Sequence, residues 1–97
     1  MRRQKKIRSL VMPYAKQQEI YFTCRRYAEQ SAEVQGRIDR ICDEVAGDGY
    51  KRHALFRVLT TDVPIWRIAN ECYIAKTVLY ELRKAFYEQF LRENKKD

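Results

Sequence analysis

The chain has 97 residues, of which 45% are hydrophobic and 12% aromatic, and it carries a formal net charge of +7. That length provides one domain with a modest core, and the low glycine and proline content favours an ordered, all-α protein. Three cysteines without a Cys-x-x-Cys pair and a single histidine do not form a conventional zinc site, so we expect no metal and no cofactor.

The chain begins with a predicted basic arm, residues 1–13. It carries five basic side chains and no acid up to residue 11: Arg2, Arg3, Lys5, Lys6 and Arg8. Such an arm either contacts DNA, in a minor groove or along the backbone, or is a solvated charged tail, and the sequence favours neither. No apolar run follows the basic start, and no stretch of about 18 apolar residues occurs. We therefore expect a cytoplasmic protein with no membrane segment.

Residues 14–46 are predicted to form one long amphipathic helix. Apolar residues recur there at alternating spacings of four and three, with Ser31 as the one polar seam position. The seam consists of Ile20, Cys24, Tyr27, Ser31, Val34, Ile38, Ile41 and Val45. Pro13 can open this helix and Gly47 can close it as an αL cap. The seam either packs on the protein's own helices or pairs with a second copy, and its length of roughly 50 Å favours a homodimer.

A three-helix unit is predicted over residues 50–92, after the break at Gly47-Asp48-Gly49. Its first helix covers 50–60 and the next two cover 63–72 and 75–92, which leaves 93–97 as a tail. Residues 51–97 carry ten basic and six acidic side chains, whereas residues 12–50 carry five and seven. Positive charge at both ends of a chain is typical of nucleic-acid binders, although charged termini are also commonly just solvated.

Residues 61–84 fit a helix-turn-helix motif, in which the second of two short helices enters the DNA major groove. If Ala69 is the small residue where the two helices touch, every predicted buried position is apolar. Those positions are Ile68, Cys72, Ile74, Leu79 and Leu82. Pro64 suits the first turn of the first helix, with Thr61 or Asp62 as its cap.

Two positions depart from the usual motif. Tyr73 stands where the turn normally has glycine, and a non-glycine residue with positive φ is uncommon and strained. Ala75 stands where the second helix normally has a capping serine, a loss of about 1 kcal/mol of capping. A slightly different or longer turn, or an ordinary amphipathic helical hairpin, is the alternative interpretation.

The recognition helix, residues 75–91, is predicted to turn apolar side chains inward and polar side chains outward. The inward set is Leu79, Leu82, Phe86 and Phe90, and Tyr87 is expected on the opposite face. Long polar side chains near the start of a helix in the groove can reach base edges. We therefore expect base contacts from Lys76, Thr77, Tyr80 and Glu81.

Basic side chains elsewhere on the unit are expected to contact phosphates. These are Arg83 and Lys84 on the recognition helix, Arg67 on the preceding helix and Arg52 on the first. Glu81 is expected either to accept from a cytosine or to pair with Lys84 or Arg83. Trp66 is expected to pack against Tyr73 or the long helix. At each position the alternative is a solvated helix face.

The string IANECYIAKTVLYELRKAFYEQF, residues 68–90, resembles the helix-turn-helix of region 4 of bacterial sigma factors and, more closely, phage and mobile-element regulators of the ArpU/RinA type. The matching residues are Ile68, Ala69, Ile74, Leu79, Arg83, Ala85 and Phe86. Ala75 replaces the family's serine and Val78 its threonine. The resemblance covers residues 50–92 and implies promoter binding and contact with RNA polymerase.

Three classes of function follow. The first is a sequence-specific transcriptional regulator of bacterial, phage or mobile-element origin that binds double-stranded DNA. The alternative is a protein-interaction adaptor or anti-regulator that acts through the 14–46 helix. An enzyme is not expected, because the sequence has no Ser–His or Cys–His arrangement and no paired carboxylates in a glycine-bounded pocket.

Overall fold

The computed structural model describes residues 12–47 and 49–94, and within those ranges the protein is all-helical. Five α-helices follow one another in the order α1 (Tyr14–Arg25), α2 (Ala32–Ala46), α3 (Tyr50–Thr60), α4 (Ile65–Cys72) and α5 (Lys76–Asn94). A 3₁₀ turn, Tyr27–Glu29, lies between α1 and α2. Most of the predicted basic arm, at residues 1–11, and the end of the predicted tail, at 95–97, lie outside the described residues.

The prediction of one continuous helix over residues 14–46 is wrong, because the chain turns between α1 and α2. Ser31 adopts an extended conformation and caps α2, its Oγ accepting from the N–H of Val34 at 3.2 Å. Backbone carbonyls near the break accept from two glutamine side chains: Gln30 donates to the carbonyl of Thr23 at 3.1 Å, and Gln35 to that of Tyr27 at 2.8 Å. The polar seam position is thus an N-cap, and these bonds satisfy groups that a continuous helix would bond internally.

The turn folds α1 and α2 back onto the rest of the chain and buries the seam in the protein's own core. Ile20, Cys24, Ile38 and Ile41 are almost fully buried. They form one cluster with side chains from α3 and from the C-terminal half of α5, including Leu55, Leu59, Phe86, Tyr87 and Phe90. Of the two destinations open to the seam, packing on the protein's own helices is the one observed.

A second cluster holds α3, α4 and the start of α5 together. Its buried members are Ala54, Ile68, Ala69, Ile74 and Leu79. Cys72 and Leu82, which were also predicted to be buried, are only partly buried against it. Leu82 touches both clusters and therefore connects the two halves of the core.

The first residues of α4 differ from the predicted cap. Pro64 precedes the helix as its N-cap, and no side chain caps it. The hydroxyl of Thr61 donates to the carbonyl of Arg57 at 2.7 Å and accepts from the N–H of Val63 at 3.4 Å, so it orders the turn before α4. Asp62 pairs instead with Arg25 of α1.

The end of α2 also differs from the predicted αL cap. Gly47 does follow the last residue of α2, but its φ of 74° is combined with a ψ of −145°. This lies outside the αL region, in a part of conformational space that is essentially restricted to glycine.

Parts of the predicted arm and tail belong to the folded protein. Met12, which was assigned to the arm, is buried in the first cluster. Residues 93 and 94, assigned to the tail, belong to α5. Glu93 pairs with Arg40 of α2 at 2.6 Å, and Arg37 donates to the carbonyl of Phe90 at 3.1 Å and to the side chain of Asn94. These contacts fix the last two turns of α5 on α2.

We expect stability to depend on the ionisation of Glu93. The hydrogen bond from Arg40 lowers the pKa of this carboxyl from 4.5 to about 2. As the pH falls, the unfolded chain therefore takes up this proton before the folded protein does. The stabilising contribution is complete above about pH 4.5 and is lost as the pH falls toward 2.

Urea denaturation of the wild type and Glu93→Gln at pH 6 and pH 3 tests this dependence. The two proteins should differ in unfolding free energy at pH 6, and they should begin to converge at pH 3, which lies between the unfolded and the folded pKa of Glu93. Glu88→Gln on the exposed side of α5 removes the same charge without an ion pair in the described part of the chain, and it should show no such convergence. An equal gap between wild type and Glu93→Gln at both pH values would contradict the assignment.

Candidate nucleic-acid interface

A short turn joins α4 to α5, with Tyr73 at the position where a helix-turn-helix normally has glycine. Tyr73 adopts the left-handed αL conformation, with φ 56° and ψ 45°, and is the one non-glycine residue with positive φ in the described ranges. The N–H of Ile74 donates to the carbonyl of Ala69 at 3.0 Å and closes the turn. Ile68, Ile74 and Leu79 are buried around it. A longer turn is therefore not needed, and the predicted conformation at Tyr73 is the one observed.

Replacing Tyr73 with glycine should stabilise the protein by about 0.5–1 kcal/mol. An αL conformation costs a non-glycine residue about 1–2 kcal/mol, and glycine removes this cost. Part of the gain is lost, because glycine also has more conformational freedom in the unfolded chain. The Tyr73 side chain is 94% exposed, so its removal loses almost no packing. Thermal and urea denaturation would measure the gain.

Tyr50→Gly is the matched control for that substitution. Tyr50 is also exposed, but it is the first residue of α3 and has helical geometry. Glycine there should destabilise the protein by about 0.5–1 kcal/mol. If Tyr73→Gly lowered stability as well, the turn conformation described above would be incorrect.

The helix after the turn begins without a side-chain cap. Ala75 precedes α5, and its carbonyl accepts from the N–H groups of Val78 at 3.1 Å and Leu79 at 3.3 Å. Its methyl group cannot bond the free N–H groups of the first turn. Among the described residues, the N–H groups of Lys76 and Thr77 therefore have no acceptor, and they lie at the positive end of the helix dipole.

The four side chains predicted to contact bases lie together on the outer surface of α5. Lys76, Thr77, Tyr80 and Glu81 are all exposed, and their spacing places them on one side of the first two turns. No ion pair joins Glu81 to Lys84 or Arg83, since the ion pairs of the described residues do not include it. Of its two expected roles, pairing within the helix is thus not observed.

The four predicted phosphate-contacting residues do not all lie together. Arg67 is exposed on α4, and Arg83 and Lys84 are half-buried on α5. Arg52 faces α2, where its guanidinium contacts Asp43 at 2.6 Å and Asp39 at 3.6 Å. Arg52 is thus committed to contacts between α2 and α3, and the structure does not group it with the other three.

Two aromatic residues of this region are placed differently from the prediction. Tyr87, expected on the outer face of α5, is buried in the first cluster, so the apolar side of α5 is wider than its leucine and phenylalanine residues suggested. Trp66 is 53% exposed, and Tyr73, one of its two expected partners, is 94% exposed, which leaves little surface for packing between them. The guanidinium of Arg67 lies 5.9 Å from the centroid of the Trp66 ring. The outer side of α4 is therefore both aromatic and basic.

One cavity near this surface was missed by the sequence analysis. It measures about 420 Å³ and lies between the end of α1, the α3–α4 connection and α5. Its walls are Tyr21, Arg25, Val58, Thr61, Asp62, Val63, Pro64, Ile65 and Arg83. Arg25 and Asp62 are 37 positions apart and carry no motif, so only the packing of α1 against the unit reveals that they meet.

The described residues hold neither of two other kinds of site. None of the helices is long and apolar enough to cross a membrane. The described ranges hold no group of three or more histidine, cysteine or carboxylate side chains that could bind a metal ion. Cys24 and Cys42 are buried as free thiols in the first cluster, where burial raises the pKa of each thiol far above its usual value.

No protein-family model matches the chain, and comparisons with curated proteins and with solved structures find no significant relative. Inferences about function therefore rest on the arrangement of this chain's own residues.

Proposed function

We propose that the protein is a sequence-specific DNA-binding transcriptional regulator whose helix α5 lies in the major groove of double-stranded DNA. The observation that carries the proposal is the αL turn at Tyr73, which joins α4 to α5 over the buried residues Ile68, Ile74 and Leu79. A tight turn of this kind, with a small residue where the helices meet, is the defining geometry of a helix-turn-helix.

The outer side of α5 supports a role in base recognition. Lys76, Thr77, Tyr80 and Glu81 offer donors and acceptors from the first two turns, the part of a recognition helix that reaches furthest into the groove. Lysine is suited to guanine, the Thr77 hydroxyl to several bases, and the Glu81 carboxylate to the amino group of cytosine. Because Glu81 repels phosphates, it contributes selectivity rather than general affinity.

The unpaired positive charge on α4 and α5 supports phosphate binding by these two helices. Arg67, Lys76, Arg83 and Lys84 have no carboxylate partner among the described residues, whereas Arg37, Arg40, Arg52 and Arg57 each pair with one. The arginines of α2 and α3 therefore hold the fold together, whereas Arg67, Lys76, Arg83 and Lys84 are free for a polyanion.

Affinity selection of fragmented bacterial and phage DNA on the purified protein at about 0.15 M salt tests the proposal. Enrichment of one sequence motif would support a specific regulator. Two half-sites about one helical turn apart would in addition support a homodimer. Such a dimer would need an interface other than the seam of residues 14–46, because that seam is buried in the protein's own core. Recovery of DNA without any preferred sequence would refute specific recognition.

The alternative role as an adaptor or anti-regulator has less support. It required an exposed apolar seam along residues 14–46, and Ile20, Cys24, Ile38 and Ile41 of that seam are buried inside the protein. Contact with RNA polymerase remains an expectation from the family resemblance, and no feature of the described surface adds to it.

A further inference from the structure

Arg83 differs from the other half-buried arginines of the described chain. Five arginines are half-buried, and four of them contact a carboxylate within 4.0 Å: Arg25, Arg37, Arg52 and Arg57. The guanidinium of Arg83 has no such partner and lies 5.3 Å from the centroid of the Tyr80 ring, and its Nε is buried without an acceptor. A partly desolvated charge without a counterion is unfavourable, which suggests that an anion from outside the chain supplies the partner.

A second guanidinium lines the same cavity as Arg83. Arg25 of α1 is only 11% exposed and stacks 4.7 Å above the centroid of the Tyr21 ring. Its Nη1 contacts the Asp62 carboxylate at 2.5 Å, and its Nε, like that of Arg83, is buried without an acceptor. The Asp62 side chain is 76% exposed and sits on the connection between α3 and α4, so it can swing out toward solvent.

The third wall of the cavity is the start of α4. Pro64 and Ile65 line the cavity, and the N–H groups of Ile65 and Trp66 find no acceptor in the described part of the chain. Free N–H groups at the start of a helix bind oxyanions, and two guanidinium groups add the planar donor pairs that suit tetrahedral oxygens.

We infer that this cavity is a phosphate-binding pocket, and that Asp62 occupies part of it in the free protein. A phosphate group would bridge Arg83, Arg25 and the start of α4 after displacing the Asp62 carboxylate from Arg25. The pocket thereby ties α1, the α3–α4 connection and the recognition helix to one anion. The phosphate comes either from the backbone of bound DNA or from a free phosphorylated small molecule, and only the DNA source rests on the function proposed above.

Titration of the ¹⁵N-labelled protein with inorganic phosphate, at constant ionic strength against chloride, tests the pocket without any DNA. The amide signals of Ile65 and Trp66 should shift with a saturable dependence on phosphate. Arg83→Gln should weaken that binding about tenfold or more, because it removes charged hydrogen bonds. Arg83→Lys keeps the charge but not the planar pair of donors, so its affinity for phosphate should lie between those of the wild type and Arg83→Gln.

Arg26→Gln is the control for loss of charge. Arg26 directly follows Arg25, is exposed and does not line the cavity, so its substitution should leave phosphate binding almost unchanged. Equal loss in Arg26→Gln and Arg83→Gln would refute a defined pocket, as would the absence of saturable shifts at Ile65 and Trp66. Circular dichroism melting of each variant separates lost binding from lost folding.

Asp62→Asn tests the displacement step and should give a change in the opposite direction. Removal of one negative charge about 4 Å from the bound anion should strengthen phosphate binding about fivefold. Glu88→Gln removes the same charge on the exposed side of α5 and should have little effect. Weaker binding in Asp62→Asn would show that the carboxylate supports the pocket rather than occupying it, and would overturn that part of the inference.

A duplex bound to the protein distinguishes the two sources of phosphate. If the pocket binds the DNA backbone, saturating duplex should abolish the inorganic phosphate response, and Asp62→Asn should tighten DNA binding. If the pocket serves a free ligand, the phosphate response should persist in the DNA complex. If the protein binds no DNA, the phosphate titration alone still decides whether the pocket exists.

Discussion

Replacing Phe86 with alanine should lower the free energy of unfolding by about 3–5 kcal/mol, the usual cost of removing a buried aromatic side chain. Phe86 is completely buried in the first cluster, and its ring stacks on that of Phe90 at a centroid distance of 5.7 Å. The cavity left behind would lie where α5 meets the other helices of this cluster. A domain of this size is stable by only about 5–15 kcal/mol, so a loss of this size is close to unfolding it.

Equilibrium urea denaturation followed by circular dichroism measures this loss. Tyr80→Ala serves as the control, since Tyr80 lies on the outer side of the same helix and should cost less than about 1 kcal/mol. A loss below about 1.5 kcal/mol for Phe86→Ala would mean that the first cluster is not packed as described.

The double substitution Lys76→Ala/Lys84→Ala should weaken binding to the selected DNA by at least about tenfold at 0.15 M salt. Neither lysine has a carboxylate partner in the described ranges, so each is free to contact DNA. Each phosphate contact that is lost should also reduce the slope of log K against log salt by about 0.9. If Lys76 contacts a base instead of a phosphate, the double substitution should reduce the slope by only about 0.9, and it should also weaken discrimination among DNA sequences.

Fluorescence anisotropy with a labelled duplex at several salt concentrations gives both quantities. Lys16→Ala/Arg26→Ala removes two positive charges, one on α1 and one on the residue that follows it, outside helix α5, and controls for the general effect of net charge. An equal loss of affinity in both double variants would show that the protein binds DNA through overall charge, and the proposed interface would have to be abandoned.

The sequence was most informative where structure depends on local chemistry. The first helix of the three-helix unit was predicted with the observed bounds, Tyr50–Thr60, because Gly49 and the turn at Thr61 delimit it within a few residues. The αL turn could also be located, since the spacing of Ile68, Ile74 and Leu79 leaves only Tyr73 for the glycine position. An unfavourable residue did not move the turn, because the buried contacts on both sides outweigh a penalty of about 1–2 kcal/mol.

Features that depend on tertiary packing were beyond local reasoning. The regular seam of residues 14–46 concealed the break, because a heptad spacing continues through a turn when both helices face the same core. Ser31, the one polar position in the seam, is the local sign of the break, because serine is a favoured N-cap. The meeting of Arg25 with Asp62, and the burial of Tyr87, follow from how α1 and α2 fold onto α5, which no short segment of the sequence specifies.

The passage of α5 through both core clusters has a consequence for the thermodynamics of binding. The helix has 19 residues, and Leu79, Leu82 and Phe86 anchor it at successive turns. The half of α5 that we propose to lie in the groove is therefore helical in the free protein, so association with DNA would not include the entropy cost of coupled folding. Amide protons on the inner side of α5 should exchange only through global unfolding, and the heat capacity change on binding should match rigid-body docking.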